Sequence, residues 1–272
     1  YLAHAAMEPL NCVVFLKEDG CQIWNGEQWQ TGDQMSVAQL LGIPPEQVSI
    51  TQLYAGGSFG RRANPHSDYV LEAVAIAKAA REQGVKVPIK MVWTREDDTR
   101  AGYYRPAFLH RARLAVDAQG QLVGWEQRLV GQSFIIGTPF EKFMVKDGID
   151  KIAVEGAADL PYAVPNLRVE QALADNITVP TQWWRSVGHT HTAFSTETLI
   201  DEAAVAAKQD PYEFRRKLLE KHPRHRGALE LVAQRANWLA PLEKGKDGEQ
   251  RGRGIAVHES FGSYVAQVVE VT

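Results

Sequence analysis

The 272-residue sequence has little cysteine, two residues in all. Two thiols cannot hold an iron–sulfur cluster or a thiolate zinc site unaided. Cys12 and Cys21 flank a predicted hairpin turning at Lys17–Gly20, which sets Cys21 opposite Leu16, so a disulfide between the two cysteines is not expected. A basic excess is missing too: the formal net charge is −3, which argues against a general nucleic-acid binder. No apolar run approaches the ~20 residues of a membrane span. The opening "YLAHAAMEPLNC" lacks an initiator methionine and the basic-then-apolar order of a signal peptide. The chain therefore reads as the interior of something longer, and the closing "YVAQVVEVT" as a strand cut before its turn. No low-complexity tract or strong repeat is present. Neither a Gly-Lys-Ser/Thr phosphate loop nor a G-x-G-x-x-G fingerprint occurs, and no Ser/His/Asp or Cys/His order marks a nucleophile.

What is present is the material of a globular core, with 44% hydrophobic and 23% charged residues. Strands are expected at "CVVFL", "CQIW", "QVSITQLY", "VPIKMVWT" (buried), "LRVEQALA" and the final "RGRGIAVHESFGSYVAQVVEV". "HRARLAVDAQGQLVGWEQRLV" reads as a hairpin turning at Asp117–Gly120. A helix is predicted at "DQMSVAQLLG", capped by Asp33 and stopped by Gly42. A second has Asn64 as cap, Pro65 at its first position and Gly84 as terminator. Tyr69, Val70, Ala73, Val74, Ala77 and Ala80 form the buried face of that second helix. Further helices are predicted at "TETLIDEAAVAAKQ", at "DPYEFRRKLLEK" with Asp210 as cap, and at "ALELVAQRANW" beyond a basic link. The class expected is α+β, mixed sheets with packed helices in two related lobes. These are residues 1–132 and 167–272, the second truncated at its C-terminus, joined by an irregular connection at 133–166.

Two stretches carry the chemistry. "GGSFGRR" lies between a strand and a helix, where glycines allow close approach and free N–H groups favour anions. A plain loop is the alternative, but Phe59 between glycines counts against it, since a loop needing only flexibility would not spend a large apolar side chain there. "TQWWRSVGHTHTAF" repeats the design. Trp183, Trp184 and Arg185 can wall a planar ligand or plug a joint between lobes, and Thr196 can cap the next helix. His189 and His191 at i, i+2 point apart on a strand, with no third ligand near, so no metal site is expected. His4 and Glu8 at i, i+4 can share a helical face, as a structural hydrogen bond rather than a proton relay. His258-Glu259 is ambiguous. Glu96-Asp97-Asp98 and Arg224-His225-Arg226 read as solvated surface.

Taken in order, "AHAAMEPLNC", "QIWNGEQWQ", "VAQLLGIPPEQVSI", "GGSFGRR" and "WWRSVGHTHTAF" resemble the molybdopterin-binding catalytic subunits of the xanthine dehydrogenase/aldehyde oxidase family. "LAHAAMEP", "GGSFGRR" and "WRSVGH" resemble in particular its isoquinoline 1-oxidoreductase β-subunit branch. The resemblance covers nearly the whole chain. It implies a molybdenum–molybdopterin cofactor in the full-length parent, hydroxylation of an N-heteroaromatic or aldehyde carbon with oxygen from water, and electrons leaving through a partner subunit with [2Fe–2S] clusters. Gly56, Gly57, Ser58, Phe59, Gly60, Arg61, Arg185 and Ser186 match the cofactor-binding positions, with Phe59 beside the metal. Arg61 and Arg62 would serve anionic parts of the cofactor or face water. Trp184 and Val187 match the substrate pocket. Leu2 stands where the xanthine dehydrogenase relatives carry a glutamine, and Val187 where they carry a phenylalanine, which implies a roomier pocket for bulkier aromatics. The family's glutamate base is expected beyond Thr272, so the chain alone is expected to be inactive and to bind no cofactor. Periplasmic location is implied by analogy, with the cytoplasm as alternative. The rival expectation is a non-enzymatic α+β domain that binds a phosphate ligand or a partner.

Overall fold

The computed structural model describes every residue except Asp175 and Asp247. Helices and mixed sheets make an α+β chain, as the sequence pattern implied. It forms two compact units interleaved along the sequence. The first comprises Tyr1–Ala107, Gln132–Val145 and Asp175–Arg185; the second comprises Phe108–Gly131, Lys146–Ala174 and Ser186–Thr272.

In the first unit, strands β1 (Leu2–Ala3), β2 (Asn11–Leu16), β3 (Cys21–Asn25), β4 (Val48–Gln52), β5 (Ile89–Val92) and β6 (Tyr104–Arg105) accompany helices α1 (Gln30–Leu41), α2 (Asp68–Glu82) and α3 (Arg95–Arg100). The main sheet has the order β4-β3-β2-β5, with β3 and β4 parallel and the other pairs antiparallel. Period-two alternation turns Cys12, Val14, Cys21 and Ile23 inward, where Val70, Ala73 and Val74 of α2 meet them. Burying each large aliphatic side chain contributes about 1.5–3 kcal/mol. The hairpin turns as predicted: Lys17 N–H donates to Gly20 O at 2.8 Å, and Leu16 pairs with Cys21. Both cysteines are free and buried.

Four local readings need correction here. α1 begins at Gln30 after Trp29, and Asp33 lies buried inside its first turn instead of capping it, while Gly42 ends it in the left-handed region as expected. α2 begins at Asp68, not Pro65. The Asn64 side chain spends its oxygen on the His66 N–H (2.9 Å), closing a local turn upstream of the helix. β5 is an edge strand, half-buried rather than central. The acidic run is not all solvated either: Asp98 is buried, accepting from Arg95 (3.0 Å) and the Leu10 N–H (3.4 Å).

The second unit contains β7 (Phe108–Val116), β8 (Leu122–Gly131) and β9 (Leu167–Leu173), helices α4 (His189–Ala206), α5 (Pro211–Leu218) and α6 (Pro223–Arg235), and a hairpin of β10 (Gly252–Ser260) and β11 (Ser263–Val271). β7 and β8 form the predicted hairpin, and β9 adds parallel to β8. Trp125, Ile200, Phe214, Leu229, Ile255 and Val257 centre a second core. Its one fully buried cation, Arg215 among the described residues, pairs with Glu197 (3.0 Å) and Asp201 (2.5 Å). Asp210 caps α5 as read, accepting from Tyr212 and Glu213 N–H.

α4 starts seven residues earlier than predicted, which places Thr196 in mid-helix and His189 and His191 on a helix rather than a strand. Hydroxyls explain the difference. Thr196 donates to the Thr192 carbonyl (2.8 Å), so a residue that favours caps is absorbed into the helix ladder, while Thr192 donates to the Glu155 carbonyl (2.6 Å) outside the helix. Arg224-His225-Arg226 opens α6, with His225 buried instead of solvated. The stretch from Ser133 to Ala163 is mostly turns, with a four-residue helix at Glu141–Met144, in keeping with its weak periodicity.

Candidate cofactor site

Three sequence-distant segments meet in the first unit. The short strand β6 joins two of them: it pairs with β1 through Ala3↔Tyr104, and Tyr104 exchanges backbone hydrogen bonds with Pro180 O and Gln182 N–H, both 3.0 Å. The glycine loop is fastened to both. Gln182 Nε2 donates to Gly60 O (2.7 Å), Asn64 Nδ2 donates to Gln182 Oε1 (2.8 Å), and Arg185 N–H donates to Phe59 O (2.7 Å). Gly56 N–H donates to the Glu8 carboxylate, which also accepts from Asn11 Nδ2. These two donors, Gly56 first, hold Glu8 below the usual carboxylate range.

Glycine is required by this closeness. At Gly60, φ is +107° and a Cβ would come within 2.8 Å of Trp183 O; at Gly56 it would strike Glu8 Cβ at 2.5 Å. The loop thereby bares its backbone: among the described residues, the N–H groups of Gly57, Ser58, Phe59 and Gly60 find no acceptor. Phe59 sits at φ +59° with its ring more than a third exposed.

A stack of planar groups lies beside the loop. Trp184 packs on His4 with centroids 4.7 Å apart and runs parallel to Phe59 at 6.4 Å, and the exposed Arg185 guanidinium lies 5.3 Å from the Phe59 centroid. Trp183 O can only accept, so His4 Nε2 carries the proton of their 3.0 Å bond. Burial, the dominant cause, lowers the His4 pKa and keeps the ring neutral at physiological pH. The i, i+4 reading of His4 and Glu8 does not hold, because no helix forms there: Ala5 has a left-handed backbone, Met7 and Glu8 lie in a bend, and each residue serves a different segment.

Arg61 and Arg62 do not face water. Both are buried. Arg61 forms a bidentate pair with Asp68, with Trp93 and Tyr103 on either side at 5.7 and 5.5 Å. Arg62 donates to Gly57 O (3.1 Å) and Gly26 O (3.0 Å), stapling the loop from behind. Ser58 hydrogen-bonds the Arg62 N–H (2.9 Å) and Gln28. Of the residues singled out from sequence, Gly56 through Gly60, Arg61, Trp184 and Arg185 come together in the first unit, whereas Ser186 and Val187 belong to the second. Both have left-handed backbones, φ 67° and 48°, and for a β-branched valine this strain costs about 1–3 kcal/mol.

Sequence reasoning passed over Asn64, Gln182 and Gln28 as site scaffolding, since amides carry no motif. It also missed a carboxyl pair under the loop, Glu27 and Asp33, both buried and without a cation partner among the described residues. Burial raises both pKa values; Asp33 pushes Glu27 further up, to about 9, whereas hydrogen bonds from Glu27 and Ser67 pull Asp33 partly back. In the second unit it missed a histidine network. Gln127 Nε2 donates to His110 Nδ1 (2.9 Å), His110 Nε2 donates in turn to His191 Nδ1 (3.0 Å), and His189 bonds His258 (2.9 Å). Burial pushes His110 and His258 down to about 4.

The glycine loop, with four N–H groups that find no acceptor among the described residues, thus lies beside an exposed aromatic ring and an exposed guanidinium. Residues 1–219 match the molybdopterin cofactor-binding domain family, and the chain belongs to it. It is 28% identical over 269 residues to the isoquinoline 1-oxidoreductase subunit beta of Brevundimonas diminuta, covering 98% of this chain and 33% of that protein. Against the membrane-bound aldehyde dehydrogenase (pyrroloquinoline-quinone) of Gluconacetobacter polyoxogenes it is 31% identical over 239 residues, covering 82% of this chain and 29% of that one. The fold matches the crystal structure of quinoline 2-oxidoreductase from Pseudomonas putida 86 with a TM-score of 0.75 at 21% identity, over 94% of this chain and 34% of the other. The chain thus spans about a third of the length of these relatives. The family resemblance drawn from the five motifs is borne out.

Proposed function

We propose that the chain is one part of a molybdenum hydroxylase that oxidises an N-heteroaromatic or aldehyde substrate with oxygen drawn from water. The observation that carries this reading is the convergence of the His4 segment, the glycine loop and Trp183–Arg185 on one face, with the loop's N–H groups free. When bound, the molybdenum–molybdopterin group would supply the two-electron redox chemistry. The backbone of Gly57–Gly60 would hold it through N–H donors, Arg185 would offset its negative charge, and Phe59 would cover one side. Trp184, with His4 on one face and Phe59 toward the other, would set the angle of Phe59 rather than stack on substrate. Ser186 would add a cofactor contact, and Val187 would leave room for a bulky aromatic substrate.

The general base lies outside these 272 residues in this reading, so the chain alone is inactive and holds no cofactor. Electrons pass to a [2Fe–2S] partner subunit, and export to the periplasm follows the relatives of the isoquinoline branch by analogy. The test is molybdenum and pterin analysis of the full-length parent produced with its iron–sulfur partner. Stoichiometric molybdenum is expected in the wild type. A loss of tenfold or more is expected in Arg185→Ala, with thermal unfolding unchanged because the Arg185 side chain is exposed. Folded wild-type parent without molybdenum would sink the enzyme reading and leave the binding-domain alternative.

A further inference from the structure

The hairpin β10–β11 carries apolar side chains on both faces. Cross-strand partners share a face, so Ile255, Val257, Ala266 and Val268 stand on one side, and Gly254, Ala256, Val265 and Val269 on the other. The first side is closed: Ile255 and Val257 are buried, with Ala266 and Val268 packed beside them in the second core. The second side is open. Val265 and Val269 are each 55% exposed and Val271 60%, and Phe194 of α4 is 75% exposed. Together the sheet face and the α4 wall enclose a groove of about 600 Å³.

An antiparallel hairpin with one wet face alternates apolar and polar residues. "YVAQVVEV" does not: Val265, Ala266, Val268, Val269 and Val271 are apolar, the pattern of a strand covered on both sides. A two-stranded sheet also leaves both outer edges unpaired and adds little stability by itself. An apolar groove of this kind marks an interaction site.

The geometry points to this groove as the seat of a further segment of the parent polypeptide, one with an apolar face that lies on Val265, Val269 and Phe194 and completes the layer. The inference rests on the reading of the chain as part of a longer protein. Relatives about three times as long have ample chain outside the matched stretch to supply such a segment. A tethered segment reaches the groove at an effective concentration of about millimolar, well above that of a separate subunit. Most polar groups lining the groove are already engaged: Glu197 by Arg215, Tyr162 and the Val257 N–H, Asp201 by Arg215, His258 by His189, and Thr198 by the Phe194 carbonyl. Gln267 also lines it.

The experiment is thiol alkylation of Val265→Cys in the full-length parent, read by mass spectrometry on the peptide bearing residue 265. Native alkylation at least 100-fold slower than in urea, unchanged by dilution or by removing the iron–sulfur subunit, is the expected result. Fast native alkylation would overturn the inference. So would protection lost on dilution, which assigns the groove to a second copy, or protection seen only with the partner subunit bound. Should Val265→Cys fail to fold, Gln267→Cys on the same face gives the same readout. Alkylation does not depend on molybdenum, so a protected residue 265 in a metal-free parent would leave this inference standing while the functional reading fell.

Discussion

Gly60 shows how one residue couples backbone conformation to the site. Its φ of +107° lies in the region that side chains avoid, and the Trp183 carbonyl occupies the space a Cβ would need. Gly42 also has positive φ, +68°, but nothing lies within 4 Å of its Cβ position. Gly42→Ala should therefore cost about 1–2 kcal/mol of left-handed strain. Gly60→Ala should cost about 1–3 kcal/mol of strain plus the displacement of Trp183. Urea midpoints of the two variants measure the difference, and equal shifts would show that the close approach at Gly60 contributes nothing. Arg61 and Arg62 teach the converse. Adjacent arginines at the edge of a glycine loop invite a ligand reading, yet Asp68 takes both terminal nitrogens of Arg61 and the carbonyls of Gly26 and Gly57 accept from Arg62.

Among the elements, the start of α1 holds the least expected chemistry. Asp33, read as a cap, is instead buried and interacts with the buried Glu27. Two carboxylates so placed cannot both ionise, and the pair holds a proton that the unfolded chain releases. The folded state thus binds more protons than the unfolded state above the ordinary carboxylate range of about 4. Stability must fall as pH rises from there through neutrality, until the folded pair itself ionises. Glu27→Gln removes one ionisable partner and should flatten that decline, so that the variant gains on the wild type between pH 5 and pH 8. Urea midpoints at both pH values test it, and parallel slopes would refute a shared proton. The pair lies in the same segment as Gly26 and Gln28, whose carbonyl and side chain brace the glycine loop, so its protonation bears on the site's scaffold.

For the whole molecule, the interleaving of the two units decides what can be separated. The hairpin β7–β8 occupies residues 108–131, yet Trp125 and Leu122 pack into the core of the second unit with Ile200, Leu229 and Ile255. Residues 1–132 expressed alone would carry that hairpin without β9, α4 or the later strands. Such a piece keeps the whole first core but should lose the near-ultraviolet dichroism of Trp125, which has lost its surroundings. A cooperative transition with native tryptophan signals would mean that the first 132 residues fold independently.

The sequence by itself determined what depends on neighbours along the chain. The turn at Lys17–Gly20, the hairpin at Asp117–Gly120, the cap at Asp210 and the buried face of α2 follow from local stereochemistry and periodicity. Ordered motifs, each a local string, sufficed to reveal the family. Tertiary structure alone decided how those strings are used. His4 under Trp184, Gln182 on Gly60, His110 on His191 and Glu27 beside Asp33 are meetings whose partners carry no mark of one another in sequence. Burial then set their protonation and turned Arg61 and Arg62 inward. "GGSFGRR" announced a ligand, but its loop bares four N–H groups because Glu8 and Gln182 hold it from two distant places while its own Arg62 staples it from within.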